Sequence, residues 1–171
     1  MNIVQEVLRE HSKAMCDRVV SYVGKSPGRF DELVNAFLKG PYRVTQRAAW
    51  PLSYCVEHHP ELIKPYLRKI INNLKNHGIH DSVKRNTIRM LQFIRIPAAL
   101  QGAAATNCFE YLNNPKEPVA VRVFSMSVLA AIAGEQPKLR KELRIIIEDQ
   151  MPYGSPGFIS RARAILKELK G

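Results

Sequence analysis

Long apolar runs are missing from this 171-residue chain. The longest (residues 145–147 and 128–133) fall far short of the roughly 20 residues that span a bilayer, so no membrane partner is expected. Residues 1–6 lack the basic-then-apolar layout of a signal peptide. Cysteine is scarce: Cys16, Cys55 and Cys108 stand far apart, an odd number without paired spacing. That pattern points to free thiols in a reducing compartment, and the expected location is cytoplasmic. No segment alternates strictly with β-branched residues, which argues against strands. Catalytic signatures are absent too, with no Gly-x-Ser-x-Gly, no phosphate-binding glycine loop and no dinucleotide fingerprint. The adjacent acidic pairs are Asp31-Glu32 and Glu148-Asp149. Neighbouring carboxylates on a helix diverge by about a hundred degrees and seldom cooperate in proton transfer. The reading is therefore non-enzymatic, with no cofactor and no metal.

What the chain does have is folding potential and positive charge. Apolar residues make up 46% and charged residues 24%, the balance of a folded domain and not of a disordered one. The net charge is +11. Residues 41–114 hold ten basic against four acidic side chains, and residues 155–171 hold four against one. Residues 1–40 and 115–154 each hold six against five, so the surplus is concentrated in the middle and at the end. A basic surface speeds encounters with acidic proteins, nucleic acid or anionic membranes, and also serves simply to keep a protein soluble.

A nine-residue pattern recurs four times. It reads Val44-Thr45-Gln46-Arg47-Ala48-Ala49-Trp50-Pro51-Leu52, then Val83-Lys84-Arg85-Asn86-Thr87-Ile88-Arg89-Met90-Leu91. It returns as Val121-Arg122-Val123-Phe124-Ser125-Met126-Ser127-Val128-Leu129 and as Phe158-Ile159-Ser160-Arg161-Ala162-Arg163-Ala164-Ile165-Leu166. The closing leucines at 52, 91, 129 and 166 are separated by 39, 38 and 37 residues. Such a period marks a stacked array whose units bury their apolar faces against neighbours. Pro27, Pro60, Pro97 and Pro137 each precede an amphipathic run, where proline suits a first helical turn. The spacing predicts helix pairs 3–23 with 28–39, 42–58 with 60–76, 81–95 with 97–113 and 118–133 with 137–151, closed by a helix over 157–170. In the run 60–76, Leu62, Ile63, Tyr66, Leu67, Ile70, Ile71 and Leu74 form one buried face. Pro65 is expected to bend or separate its first turn, and Pro51 to kink helix 42–58 near Arg47.

Paired helices, period and motif together resemble the HEAT-repeat family, in which Val-Arg opens the first helix and small residues precede a leucine. Val121-Arg122 and Ser125 before Leu129 match; Thr45 and Ile159 depart from the basic residue. The resemblance implies an all-α, right-handed α-α superhelix of about four helical hairpins plus a C-terminal capping helix. The chain reads as one repeat domain over 1–171, with a degenerate first repeat 1–40, repeats 41–78, 79–115 and 116–153, and a capping helix 155–170. The resemblance also implies a scaffold that binds a protein partner, with second helices lining the concave side. The charge makes an acidic partner the expectation. Nucleic acid is the alternative, including an analogy to HEAT-like DNA alkylation repair glycosylases that transfers no catalytic position.

If second helices line the binding face, Lys64, Arg68 and Lys75 come from helix 60–76, and Lys141 and Arg144, beside Glu148, from helix 137–151. The helix between them turns Gly102, Ala105, Thr106 and Asn113 outward with Phe109 at the border, leaving a shallow notch. The pattern's own arginines, Arg47, Arg85, Arg122 and Arg161, are expected to cap neighbouring helix ends and to pair with residues such as Asp81 or Glu117. Cys55, His58, His59, His77 and His80 invite a metal reading. They lack the second ligand pair that a tetrahedral zinc site needs, and histidines near a helix C-terminus have a simpler role in hydrogen bonding.

Overall fold

Serine, asparagine and proline decide where the helices of this protein begin. The computed structural model describes residues 1–171 and contains ten α-helices, two 3-10 segments and no strand. The chain forms two compact units, Met1–Ile94 and Arg95–Gly171. The first holds α1 (Ile3–Arg9), α2 (Lys13–Val23), α3 (Pro27–Lys39), α4 (Tyr42–His58), a 3-10 segment (Pro60–Tyr66), α5 (Leu67–Asn73) and α6 (Asp81–Leu91). The second holds α7 (Ala98–Asn113), α8 (Val119–Glu135), α9 (Lys138–Gln150), a 3-10 segment (Met151–Tyr153) and α10 (Pro156–Lys170). No helix is long and apolar enough to cross a membrane.

The expected helix 3–23 is two helices. Ser12 adopts an extended conformation and its hydroxyl accepts the Met15 N–H at 3.0 Å, so a side-chain cap restarts the helix where continuous periodicity suggested none. The same device opens α3 at Ser26 and α10 at Ser155, each followed by proline at the first helical position. Pro60 opens its 3-10 segment, and Pro97 and Pro137 sit immediately before α7 and α9. Pro65 separates the 3-10 turn from α5 as anticipated, because its ring cannot donate to the carbonyl one turn back. The helix expected over 81–95 stops at Leu91.

The recurring pattern is the core. Its opening apolar residues (Val44, Val83, Val121, Phe158) are buried, and so are the small residues four before each closing leucine (Ala48, Thr87, Ser125, Ala162). Leu52, Leu91 and Leu129 are buried with them, while Leu166 on the last helix is half-buried. A small side chain one turn from a leucine lets a neighbouring helix approach closely and still meet an apolar ridge. In the first unit α4 packs against α1, α2, α3 and α6; in the second, α8 packs against α7, α9 and α10. Phe30, Leu33, Phe37, Leu52, Ile63, Ile70 and Ile71 are fully enclosed, each such side chain contributing about 1.5–3 kcal/mol by removal from water.

Two polar layers cross these cores. Between α4 and α6, Asn86 is buried and donates to the Ser82 carbonyl at 2.8 Å, while its Oδ1 lies 3.2 Å from the Ser53 hydroxyl. Arg89 extends that layer, donating to Ser53 Oγ at 3.2 Å and to Glu57 Oε2 at 2.5 Å and lying over the rings of Tyr54 and Phe93. In the second unit buried Gln101 donates to the Ile96 carbonyl at 3.0 Å and to Glu135 at 3.1 Å, and Glu135 also receives Arg95 at 2.9 Å. Of the second network only Gln101 is buried, and its pair Arg95–Glu135 lies at the surface; satisfied buried polar groups such as Asn86 and Gln101 help to specify one register between helices.

Candidate partner-binding surface

Of the residues singled out for binding, Lys64, Arg68 and Lys75 belong to the first unit, and Thr106, Phe109, Lys141 and Arg144 to the second. In the first unit the apolar face Ile63, Leu67, Ile70, Ile71 and Leu74 is buried, which leaves Lys64, Arg68 and Lys75 on the opposite, exposed side. Lys69 is exposed with them and was not anticipated. None of these four cations forms an ion pair; Glu61, the acid at the start of the segment, stands 3.8 Å from His59 instead.

In the second unit Gly102, Thr106 and Asn113 are exposed on α7 and Phe109 is half-buried, in line with the expected outward face. Ala105 is a correction: it is buried, because its position on the helix turns its methyl toward the core beside Ala104 and Cys108. Thr106 bonds back to the Gly102 carbonyl at 2.9 Å, so its hydroxyl is occupied by its own helix. Asn113 at the end of α7 and Lys138, Lys141, Glu142, Ile145 and Ile146 of α9 line an open cleft of about 390 Å³. Thr106, Phe109 and Arg144 do not line it; Arg144 is drawn along its helix to Glu148 at 3.5 Å.

The pattern's arginines act mostly as the framework reading requires, with oxygens other than the carboxylates expected. Arg47 donates to the Val7 and Leu8 carbonyls at 3.1 and 3.0 Å, capping the C-terminal end of α1. Arg122 reaches the Leu112 carbonyl at 3.4 Å near the end of α7 and Gln150 at 2.5 Å, and lies over the Phe158 ring; burial pulls its pKa below the usual guanidinium value. Arg161 donates to Ser127 at 2.6 Å. Asp81, one expected partner, is met by Lys84 at 4.0 Å. Arg85 is exposed and makes no hydrogen bond or ion pair. The arginine that performs this work in its repeat is Arg89, four residues on, whose helical phase points it at α4 and not at solvent. Arg89 stands two residues before Leu91 and Arg85 six before it, and the packing of α6 on α4 chooses between them.

The scan against protein-family models decides what this arrangement is, since a model described as HEAT repeat domain matches residues 3–169. The chain belongs to the HEAT-repeat family. No curated protein and no solved structure matches it significantly. HEAT repeats generally serve as protein-interaction scaffolds and are typically non-enzymatic.

No group of three His, Cys, Asp or Glu side chains in this HEAT-repeat chain is placed to hold a metal ion. The histidines have other roles. His59 ends α4, with its N–H on the Cys55 carbonyl at 2.8 Å. His80 caps α6, with Nδ1 accepting the Ser82 N–H at 2.9 Å, so it works at a helix start instead of the expected C-terminus. All three thiols are free and buried, and burial pushes Cys16 up to about 11 and Cys55 and Cys108 up to about 12.

Proposed function

We propose that this HEAT-repeat chain is a non-enzymatic interaction module that binds an acidic protein partner through exposed cations of its second helices, in the reducing cytoplasm. One contrast carries the reading. Arg18, Arg47, Arg89, Arg95, Arg122 and Arg161 are each engaged by oxygens of their own unit, whereas Lys64, Arg68, Lys69 and Lys75 have no internal acid. Cations that hold the fold together are spent inside it. An unneutralised row along the segment 64–75 supplies a field that attracts a negative surface and rejects a positive one. Lys141, beside exposed Ile145 in the α9 cleft, offers the second unit's share of the same chemistry.

The test is charge reversal in two separate sets, Lys64→Glu/Arg68→Glu/Lys75→Glu and Lys141→Glu/Arg144→Glu. All five residues are exposed, so folding stability should move by only about 0.5 kcal/mol per site. A protein partner of the wild-type chain should lose at least about tenfold in affinity toward the first set, mainly through a slower association that high salt reproduces. Equal affinity for both reversed chains and the wild type would remove the acidic-partner reading.

A further inference from the structure

We propose that His11, Tyr42, Trp50, His80 and Arg85 of the first unit form a binding site for single-stranded nucleic acid, with separate bases against Tyr42 and Trp50 and a phosphate on Arg85. This site is separate from Lys64, Arg68, Lys69 and Lys75 and goes beyond the protein-partner reading.

The sequence places Tyr42, Gln46 and Trp50 at i, i+4 and i+8 of α4, so they lie along one side of the helix, with the backbone positions of Tyr42 and Trp50 about 12 Å apart along the axis. The ends of that face are each met by a histidine from another element. His11, in the break between α1 and α2, stands edge-on to Trp50 with ring centroids 5.6 Å apart. His80, the cap of α6, stands edge-on to Tyr42 at 5.9 Å. Ser82 donates to the Gln46 carbonyl at 3.1 Å, tying the start of α6 to the middle of the same face. Because Nδ1 of His80 accepts from the backbone, the neutral ring carries its proton on Nε2 and offers a donor there. Tyr42 is 58% exposed, so solvent and a ligand can reach its ring.

Burial and then Arg47, Arg85 and His80, in that order, hold the His11 pKa below the ordinary imidazole value, so all three lie within electrostatic reach of its ring. The carboxylates that flank the cluster in sequence are already engaged, Glu10 by Arg18 and Asp81 by Lys84. Arg47 is held in place by the α1 carbonyls and Arg85 is free. Fixed cations beside accessible π-faces are the elements that single-stranded nucleic acid uses, through phosphate contacts and base stacking. An acidic peptide would satisfy the arginines and leave Tyr42 and Trp50 uncovered. A duplex keeps its base faces stacked and cannot present them.

Trp50 is the only tryptophan in the chain, so its fluorescence reports on this site alone. Titration of the full chain with a 15-nucleotide uridine oligoribonucleotide should quench it saturably. With Arg85 as the free phosphate contact, affinity should fall about two- to threefold between about 50 and 200 mM salt, from a slope of about −0.7 per contact. Arg85→Ala and Tyr42→Ala should each weaken binding at least about fivefold, the low end of the effect of losing one stacked base. Lys64→Glu/Arg68→Glu/Lys75→Glu should leave affinity within about twofold. Competition by uridine monophosphate identifies the free nucleotide as sufficient; failure to compete identifies the strand, and both support nucleotide recognition. Unquenched fluorescence, affinity unmoved in Arg85→Ala and Tyr42→Ala, loss of binding in the Lys64→Glu/Arg68→Glu/Lys75→Glu variant, or equal quenching by polyglutamate each overturns the proposal.

Discussion

Replacing Arg89 with methionine keeps the aliphatic stem and removes the charge that joins α4 to α6. The guanidinium donates to Glu57 Oε2 at 2.5 Å and to Ser53 Oγ at 3.2 Å, and stacks over Tyr54 at 4.5 Å and Phe93 at 5.1 Å. The two charged side chains are only 19% and 33% exposed, so solvent screens the pair incompletely. Losing one partner of a fully buried pair costs about 3–5 kcal/mol, and an exposed pair contributes under about 1 kcal/mol. This intermediate case should cost about 2–3 kcal/mol, including about 0.5–1 kcal/mol from the lost cation–π contacts. Glu57→Gln retains an acceptor and should cost about 1 kcal/mol. The double variant should be less destabilised than the sum of the two by about 1 kcal/mol, because the second change removes a partner already lost. Urea unfolding followed by Trp50 fluorescence measures the first unit, where all of these residues lie. Additivity within about 0.3 kcal/mol would show that Arg89 packs by its stem alone and that the ion pair is incidental.

The other consequences concern the core and the joints. Thr87 is fully buried with its hydroxyl lacking any partner, so Thr87→Val should stabilise the first unit by about 1 kcal/mol in the same urea assay; a loss would mean the hydroxyl is satisfied. A Cβ at Gly40 would lie 2.5 Å from the Ala36 carbonyl oxygen and 2.7 Å from Val44 Cγ1, whereas one at Gly28 meets nothing within 4 Å. Gly40→Ala should therefore lower the melting temperature by several degrees through about 1–3 kcal/mol of overpacking, while Gly28→Ala, inside α3, should leave it level or raise it. The three buried thiols should resist a maleimide reagent at neutral pH and react together in urea; rapid labelling of any one in the native chain would contradict its burial. Since Cys55 rises from an ordinary 9.0 to about 12, its contribution to stability is complete below about pH 9 and is lost as pH climbs toward 12, where the unfolded chain ionises first.

The recurring pattern was readable because burial imposes it. Each first helix needs an apolar residue, a small one and a leucine at fixed phase to pack, and that need appears as Val44, Ala48 and Leu52 or Val121, Ser125 and Leu129 whatever the neighbours are. The prolines before α3, α7 and α9 were legible for a similarly local reason, since a fixed φ and a missing donor suit one helical position. The restart at Ser12 was also local chemistry, a serine three residues before the N–H it accepts, but apolar periodicity ran through it and masked the cap. Arg85 and Arg89 were not separable by residue type, because both are arginines on one helix and only its rotation chooses which meets α4.

From the sequence alone follow the all-helical class, the period of the repeat, the apolar residues that each repeat buries and the family to which the chain belongs, because periodicity acts within one turn or one repeat. Tertiary structure alone decided which cations are spent. Arg47 caps a helix some forty residues away, Arg89 meets a carboxylate thirty-two residues back, and His11 meets Trp50, and His80 meets Tyr42, although the partners of each pair come from separate elements. Charge and aromaticity are written residue by residue, but neutralisation and proximity are properties of pairs, and the pairs exist only once the helices have packed.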